Sequence, residues 1–166
     1  RPALRQGFDN SSLRGRRSPT LEPKTLPFRV GFVNNVADIV VGEAGALILK
    51  KDGSVLAYGI GPVTETVDGN WTKPVHLMDD VVEIATGPRH ALALKKDGTV
   101  WSWGENDAGQ LGDGTATNRS QAVQVDISEK VVDVVAGSGY AVFLAESGSL
   151  YGVGRDFGAT PVLLTA

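Results

Sequence analysis

His90-Ala91-Leu92-Ala93-Leu94-Lys95-Lys96-Asp97-Gly98-Thr99-Val100-Trp101-Ser102-Trp103-Gly104 reads as a β-hairpin. Ala91 to Leu94 alternates small and large side chains, the pattern of a strand packed on both faces in crowded surroundings. Asp97-Gly98 predicts a type I′ turn, because glycine accepts the positive φ that such a turn demands. Val100 to Trp103 resumes the period of two and sets both indoles on one face.

The hairpin belongs to a repeat. Val82-Glu83-Ile84-Ala85-Thr86-Gly87 precedes it, and that pattern returns as Ala37-Asp38-Ile39-Val40-Val41-Gly42 and Val132-Asp133-Val134-Val135-Ala136-Gly137. The closing glycines stand 45 and 50 residues apart. Eleven residues past each comes a turn glycine (Gly53, Gly98, Gly148), and six further on a third (Gly59, Gly104, Gly154). Each copy predicts four short strands. In the second they are Val81 to Thr86, Ala91 to Leu94, Val100 to Trp103 and, past a polar loop from Glu105 to Ser120, Gln121 to Val125. The other fourth strands are expected at Lys73 to Leu77 and Thr160 to Leu164. An antiparallel four-strand unit of ~40–50 residues is the blade of a β-propeller. The fold class is therefore all-β, with blades over 36–80, 81–130 and 131–166. Ile84, Leu92, Leu94, Trp101, Trp103, Val134 and Phe143 are the expected core between blades.

Composition agrees. Glycine supplies 21 of 166 residues, about 13% against a usual ~7%, without the three-residue period of collagen. The 42% apolar content and net charge of −3 exclude a disordered chain. There is no cysteine, hence no disulfide and no thiolate metal cluster. Neither a signal peptide nor an apolar run long enough to cross a membrane is evident, which suits a soluble segment of unassigned compartment. Residues 1–19 carry five arginines against Asp9, a balance of +4 that leaves −7 for the remainder. Such a basic tail suits nucleic acid or an acidic membrane surface, or simply solvent; no aromatics interleave it for base stacking. The acidic remainder argues against nucleic acid binding by the folded part. Residues 1–26 read as a basic, irregular segment or a degenerate partial repeat, since Gly7 to Gly15 faintly echoes Gly104 to Gly112. Residues 27–35 then read as the last strand of a preceding blade, at Pro27 to Phe32.

The second copy resembles a known family. Gly87-Pro88-Arg89-His90-Ala91-Leu92-Ala93-Leu94, then Asp97-Gly98-Thr99-Val100-Trp101-Ser102-Trp103-Gly104, then Gly109-Gln110-Leu111-Gly112, is similar to the repeat of the regulator of chromosome condensation family. The first copy departs from it with Gly45 in place of His90; the third has Tyr140 there and Ser147-Gly148 for Asp-Gly. The resemblance implies structural roles for Gly42, Gly53, Gly59, Gly87, His90, Gly98, Trp103, Gly104, Gly112, Gly137, Gly148 and Gly154. It also implies a ring of seven blades, which at ~45 residues each needs ~315 residues. Three blades make an open arc, to be completed by further blades of a longer chain or by a second copy. The namesake's activity, guanine-nucleotide exchange on a small GTPase, is one implied function; members outside eukaryotes resemble binding proteins, including a propeller that inhibits β-lactamase.

The residues themselves point away from an enzyme. His76 and His90 are the only histidines, and no Gly-x-Ser-x-Gly, His-Glu-x-x-His or Walker loop occurs. No metal site and no cofactor is expected; Asn106, Asp107 and Asp113 miss the oxygen spacing of a calcium hand and read as solvated loop groups. Trp101 and Trp103 would form a ligand platform only if exposed. Asn10, Asn70 and Asn118 open glycosylation sequons, relevant only to a eukaryotic secretory route. A non-catalytic protein-interaction module is the favoured reading, with nucleotide exchange as the alternative. Strand reversal puts the first-to-second and third-to-fourth connections on one rim, where loops vary most and recognition usually resides. Trp71, Arg89 and Tyr140 are the leading contact candidates for a protein partner, joined by Glu105, Asp107 and Arg155.

Overall fold

The computed structural model describes residues 4–5, 8–9, 22–23, 28–29, 33–43, 45–58 and 74–165. Gly59, Trp71 and the proposed strand start at Lys73 lie outside them. The chain divides into two compact units, Arg1–Asn34 and Asn35–Ala166. In the first, β1 (Leu4–Arg5) pairs antiparallel with β4 (Phe28–Arg29), and β2 (Phe8–Asp9) with β3 (Glu22–Pro23).

The second unit is built from three four-stranded antiparallel sheets whose strands follow sequence order. The first holds β5 (Val36–Gly42), β6 (Gly45–Lys50), β7 (Val55–Tyr58) and β8 (Val75–Met78). The second holds β9 (Val81–Thr86), β10 (His90–Lys95), β11 (Val100–Gly104) and β12 (Arg119–Gln124). The third holds β13 (Val131–Gly137), β14 (Tyr140–Ala145), β15 (Leu150–Gly154) and β16 (Gly158–Leu163). No helix occurs among the described residues. The fourth strands begin or end one or two residues from their expected limits, because register irregularities at Val55/Leu56, Ser102/Gly104 and Gly152/Gly154 break each outer ladder.

The small–large alternation of β10 divides its side chains between two cores. Ala91 and Ala93 join Ile84 and Trp103 against Leu47, Leu49, Val55 and Ala57 of the first sheet. Leu92 and Leu94 join Val100 and Val125 against Val134, Ala141, Phe143 and Val153 of the third. Leu92, Val100 and Phe143 are wholly buried, each contributing about 1.5–3 kcal/mol of transfer free energy. Trp101 departs from expectation: it is half-buried rather than part of the seam. Its ring lies at the outer end of the first seam, lining an open trough with Leu77 and Met78 of the short strand β8.

The Asp-Gly hairpins also differ from the expected type I′. Gly98 N donates to Lys95 O (2.9 Å) and Lys95 N to Thr99 O (2.9 Å), with φ of +86° on Gly98 and no positive φ on Asp97. This is a type I turn closed by a glycine bulge. Asp97 Oδ1 tightens it by accepting from Thr99 N (2.9 Å) and Thr99 Oγ1 (2.7 Å). Gly53 and Gly148 repeat the arrangement at +88°. These hairpins tie one rim together across sheets: Val81 N donates to Gly53 O (3.0 Å) and Val131 N to Gly98 O (2.9 Å).

Candidate functional site

The opposite rim gathers the connections that the strand order predicts. Gly42, Gly87 and Gly137 end the first strands, and the chain turns at once into the second. Glu43 N donates to Pro88 O (2.8 Å), linking the first and second sheets. Glu105 N donates to Arg89 O (2.9 Å), and Arg155 N to Gly139 O (2.8 Å), stacking each outer loop on the inner turn of its own sheet. Gly87 is required by this closeness, since a Cβ there would stand 2.4 Å from Gly137 O and 2.3 Å from the His90 ring. A hollow of about 440 Å³ opens at the inner end, lined by Val41, Glu43, Thr86, Pro88, Ala136 and Ser138 among others.

Of the candidate contacts, Arg89, Asp107, Tyr140 and Arg155 are exposed on this rim. Tyr140 lays its ring over Gly137, where a Cβ would meet it at 2.2 Å, and remains 40% exposed. Arg89 Nη1 pairs with Glu105 Oε1 at 3.4 Å. In solvent that pair contributes at most about 1 kcal/mol, so both charges remain available to a partner. Trp71 lies outside the described residues.

His90 occupies the place that Tyr140 takes in the third sheet but is buried, with Nε2 unpartnered among the described residues. Burial pushes its imidazole down to about 4, against the opposing pull of a hydrogen bond to the Tyr140 main chain. It is therefore neutral at physiological pH. Farther along the sheet on β9, burial and then the neighbouring Asp133 carboxyl push Glu83 up to about 7, with Asp38 adding to the effect. These three carboxylates hold the same repeat position on β5, β9 and β13.

The loop between β11 and β12 corrects the expectation of solvated polar groups. Asn106 is wholly buried. Its Nδ2 donates to Thr115 O (3.0 Å), Thr117 O (3.1 Å) and Asp113 Oδ1 (3.1 Å), while its Oδ1 accepts from Leu111 N (2.9 Å). Its own main-chain N donates to Asn118 Oδ1 (2.6 Å). Asp113, with only 7% of its side chain exposed, receives Arg119 Nε at 2.8 Å. Burial alone would raise that carboxyl, but bonds from Thr115, Arg119 and Asn106 outweigh it and hold it below its usual range. Asp107, by contrast, is exposed. Gly109-Gln110-Leu111-Gly112 then reaches across to the third sheet. Leu111 is wholly buried, Gly109 sits against Ala159, and Gly114 N donates to Ala159 O (2.9 Å). The loop is thus a rigid platform spanning two sheets.

Comparison with known proteins accounts for this construction. The regulator of chromosome condensation (RCC1) repeat matches residues 97–144, and a second description of the same repeat matches residues 81–110. Residues 81–144 carry RCC1 repeats. The three sheets of the chain are accordingly blades of an RCC1-type β-propeller. The structure of yeast RCC1 (Prp20) bound to Kap60 is similar at 27% identity and a TM-score of 0.67, over 89% of this chain and 40% of that one. A structure of Prp20p from Saccharomyces cerevisiae, described with its binding to Gsp1p and histones, gives 28% and 0.68 over 89% and 41%. Human WBSCR16 shares the fold at 20% and 0.70, over 90% and 42%. The chain spans about two fifths of the length of these structures. No curated protein matches it.

Proposed function

We propose that this RCC1-repeat segment is a non-catalytic protein-interaction module whose recognition surface is the rim of irregular loops. The observation that carries the reading is the Asn106-centred platform. It immobilises the β11–β12 loop between two blades, and Arg89, Glu105, Asp107, Tyr140 and Arg155 are presented around it on short, main-chain-bonded turns. A preorganised display of arginine and aromatic side chains lowers the entropy lost on association and suits hot-spot contacts. The likeness to Prp20, a protein described in complex with Kap60 and in binding to Gsp1p and histones, supports a protein as the partner class. Nucleotide exchange is the second reading, supported by that same likeness over two fifths of the yeast chain.

The test is site-specific photo-crosslinking. A benzoylphenylalanine at Tyr140 should give a discrete protein adduct, and one at Lys96 on the hairpin rim should not. With the adducted protein purified, Arg89→Ala, Tyr140→Ala and Arg155→Ala should each weaken binding about tenfold without moving the unfolding midpoint. Adducts from Lys96 alone would place recognition on the other rim.

A further inference from the structure

The seam between the first two blades ends, on its outer side, in a trough that the packing of the repeat does not require. It has a volume of about 360 Å³, and Leu77, Met78, Trp101, Trp103 and Ala122 form its apolar floor, with Lys95 at one end. That volume falls within the range of about 300–1,000 Å³ typical of ligand sites. Its walls are the outermost strands of two sheets. Among the described residues β8 pairs only with β7 and β12 only with β11, so unpaired main-chain groups run along both lips.

Two residues make this trough unlike the corresponding places in the other repeats. At the position of Trp101 the first copy has Leu56 and the third Tyr151. Trp101 is fixed by donating from Nε1 to Thr99 Oγ1 at 3.2 Å, and it leaves part of its indole open. At the position of Lys95 the first copy has Lys50, which pairs with Asp52 at 3.1 Å. The Lys95 ammonium instead stands 5.1 Å from the centre of the Trp101 ring, and Asp97, the counterpart of Asp52, lies beyond 4 Å while still feeling its charge. A half-desolvated cation beside an open indole, neither needed to build a blade, is a pair left for a ligand.

We propose that this trough is a docking site for an extended, acidic segment of a partner protein. The segment lays an aliphatic or aromatic side chain on the Met78–Trp101 floor and sets an Asp or Glu two residues away against Lys95. In an extended chain, residues two apart face the same side about 6.7 Å from each other, a spacing comparable with that between the Lys95 ammonium and the indole. The edge strands favour a peptide over a free small molecule, because their main chain can add hydrogen bonds to an extended partner. This surface is separate from the loop rim, and its test does not depend on the rim.

Fluorescence anisotropy of the whole chain with a labelled octapeptide carrying Leu-x-Glu in a Gly/Ser background reads the site directly. Two analogues, one with Gln for Glu and one with Ala for Leu, should bind about tenfold more weakly, the loss of one charge-assisted or one apolar contact. Lys95→Gln should abolish the preference for Glu over Gln, and Met78→Glu should weaken the Leu-x-Glu peptide at least tenfold. In a nitrogen–proton correlation spectrum, the Trp101 indole N–H should shift on titration. Equal binding of the three peptides, no saturation below millimolar concentration, or an unchanged Glu preference in Lys95→Gln would overturn the proposal. So would N-acetyltryptophan binding as tightly as the peptide, since recognition would then need no extended chain.

Discussion

Replacing Asn106 with alanine tests the idea that one buried amide organises the recognition platform. The substitution deletes two N–H donors, shared among Thr115 O, Thr117 O and Asp113 Oδ1, and one accepted bond, from Leu111 N. A net value near 1 kcal/mol for each bond, with a further penalty for any group left buried and unpartnered, gives a loss of about 3–5 kcal/mol. Asn118→Ala is the control: it removes the single acceptor for Asn106 N and should cost about 1 kcal/mol. Asn106→Asp keeps the shape but turns the donors into acceptors facing two carbonyls and Asp113. It should be at least as damaging at neutral pH and recover in part on acidification. Urea unfolding followed by circular dichroism gives the free energies, and hydrogen exchange at the Leu111 amide reports the loop itself. An Asn106→Ala loss below about 1 kcal/mol, or no larger than that of Asn118→Ala, would refute the reasoning.

Gly87→Ala should destabilise by more than about 3 kcal/mol, because its Cβ would meet the main-chain Gly137 O of the next blade at 2.4 Å. Gly148→Ala, with open space but a φ of +88°, should cost only about 1–2 kcal/mol; equal midpoints in urea would contradict both. Trp103→Ala should cost about 3–5 kcal/mol and the half-exposed Trp101→Ala clearly less, an order that the same titration checks. His90 folds with its imidazole pushed down to about 4 from an ordinary 6.5. Its contribution is therefore complete above pH 6.5 and lost as pH falls towards 4, by up to about 3 kcal/mol. The stability difference between wild type and His90→Leu should shrink across that window, and a constant difference would sink the assignment. Glu83 has the opposite sign: raised to about 7 from 4.5, its carboxylate costs nothing below pH 4.5 and destabilises as pH rises through 7. Glu83→Gln should accordingly gain midpoint over wild type at pH 8 and not at pH 4.5.

The blades were legible because alternation and glycine spacing carry the same message in each copy. Ala91 to Leu94 even announced that β10 would serve two cores. The turn type was not legible, since Asp-Gly serves both the type I′ turn and the glycine bulge, and the ladder register decides between them. The exposure of Trp101 was not legible for a similar reason: it depends on how fully β8, a neighbour in space, covers the outer end of the seam. The Asn106 network was not legible either, because a buried amide holding an aperiodic loop leaves no period in the sequence. The crowding of Asn106, Gln110, Asp113 and Thr115 beside Gly109 and Gly112 was its only trace. Arg89, Tyr140 and Arg155 could be placed on one rim from strand order alone, but not their partner, which no pattern within a single chain encodes.

The division of β10 between a small-residue side and a large-residue side gives the stack a polarity. Leu92 and Leu94 enter the next blade, while Ala91 and Ala93 make room for the side chains of the preceding one. Such a strand has a front and a back: exchanging its two faces would drive leucines into the tight seam with the first blade and leave a void in the seam with the third. The middle blade can therefore be replaced only together with the matching sides of both its neighbours.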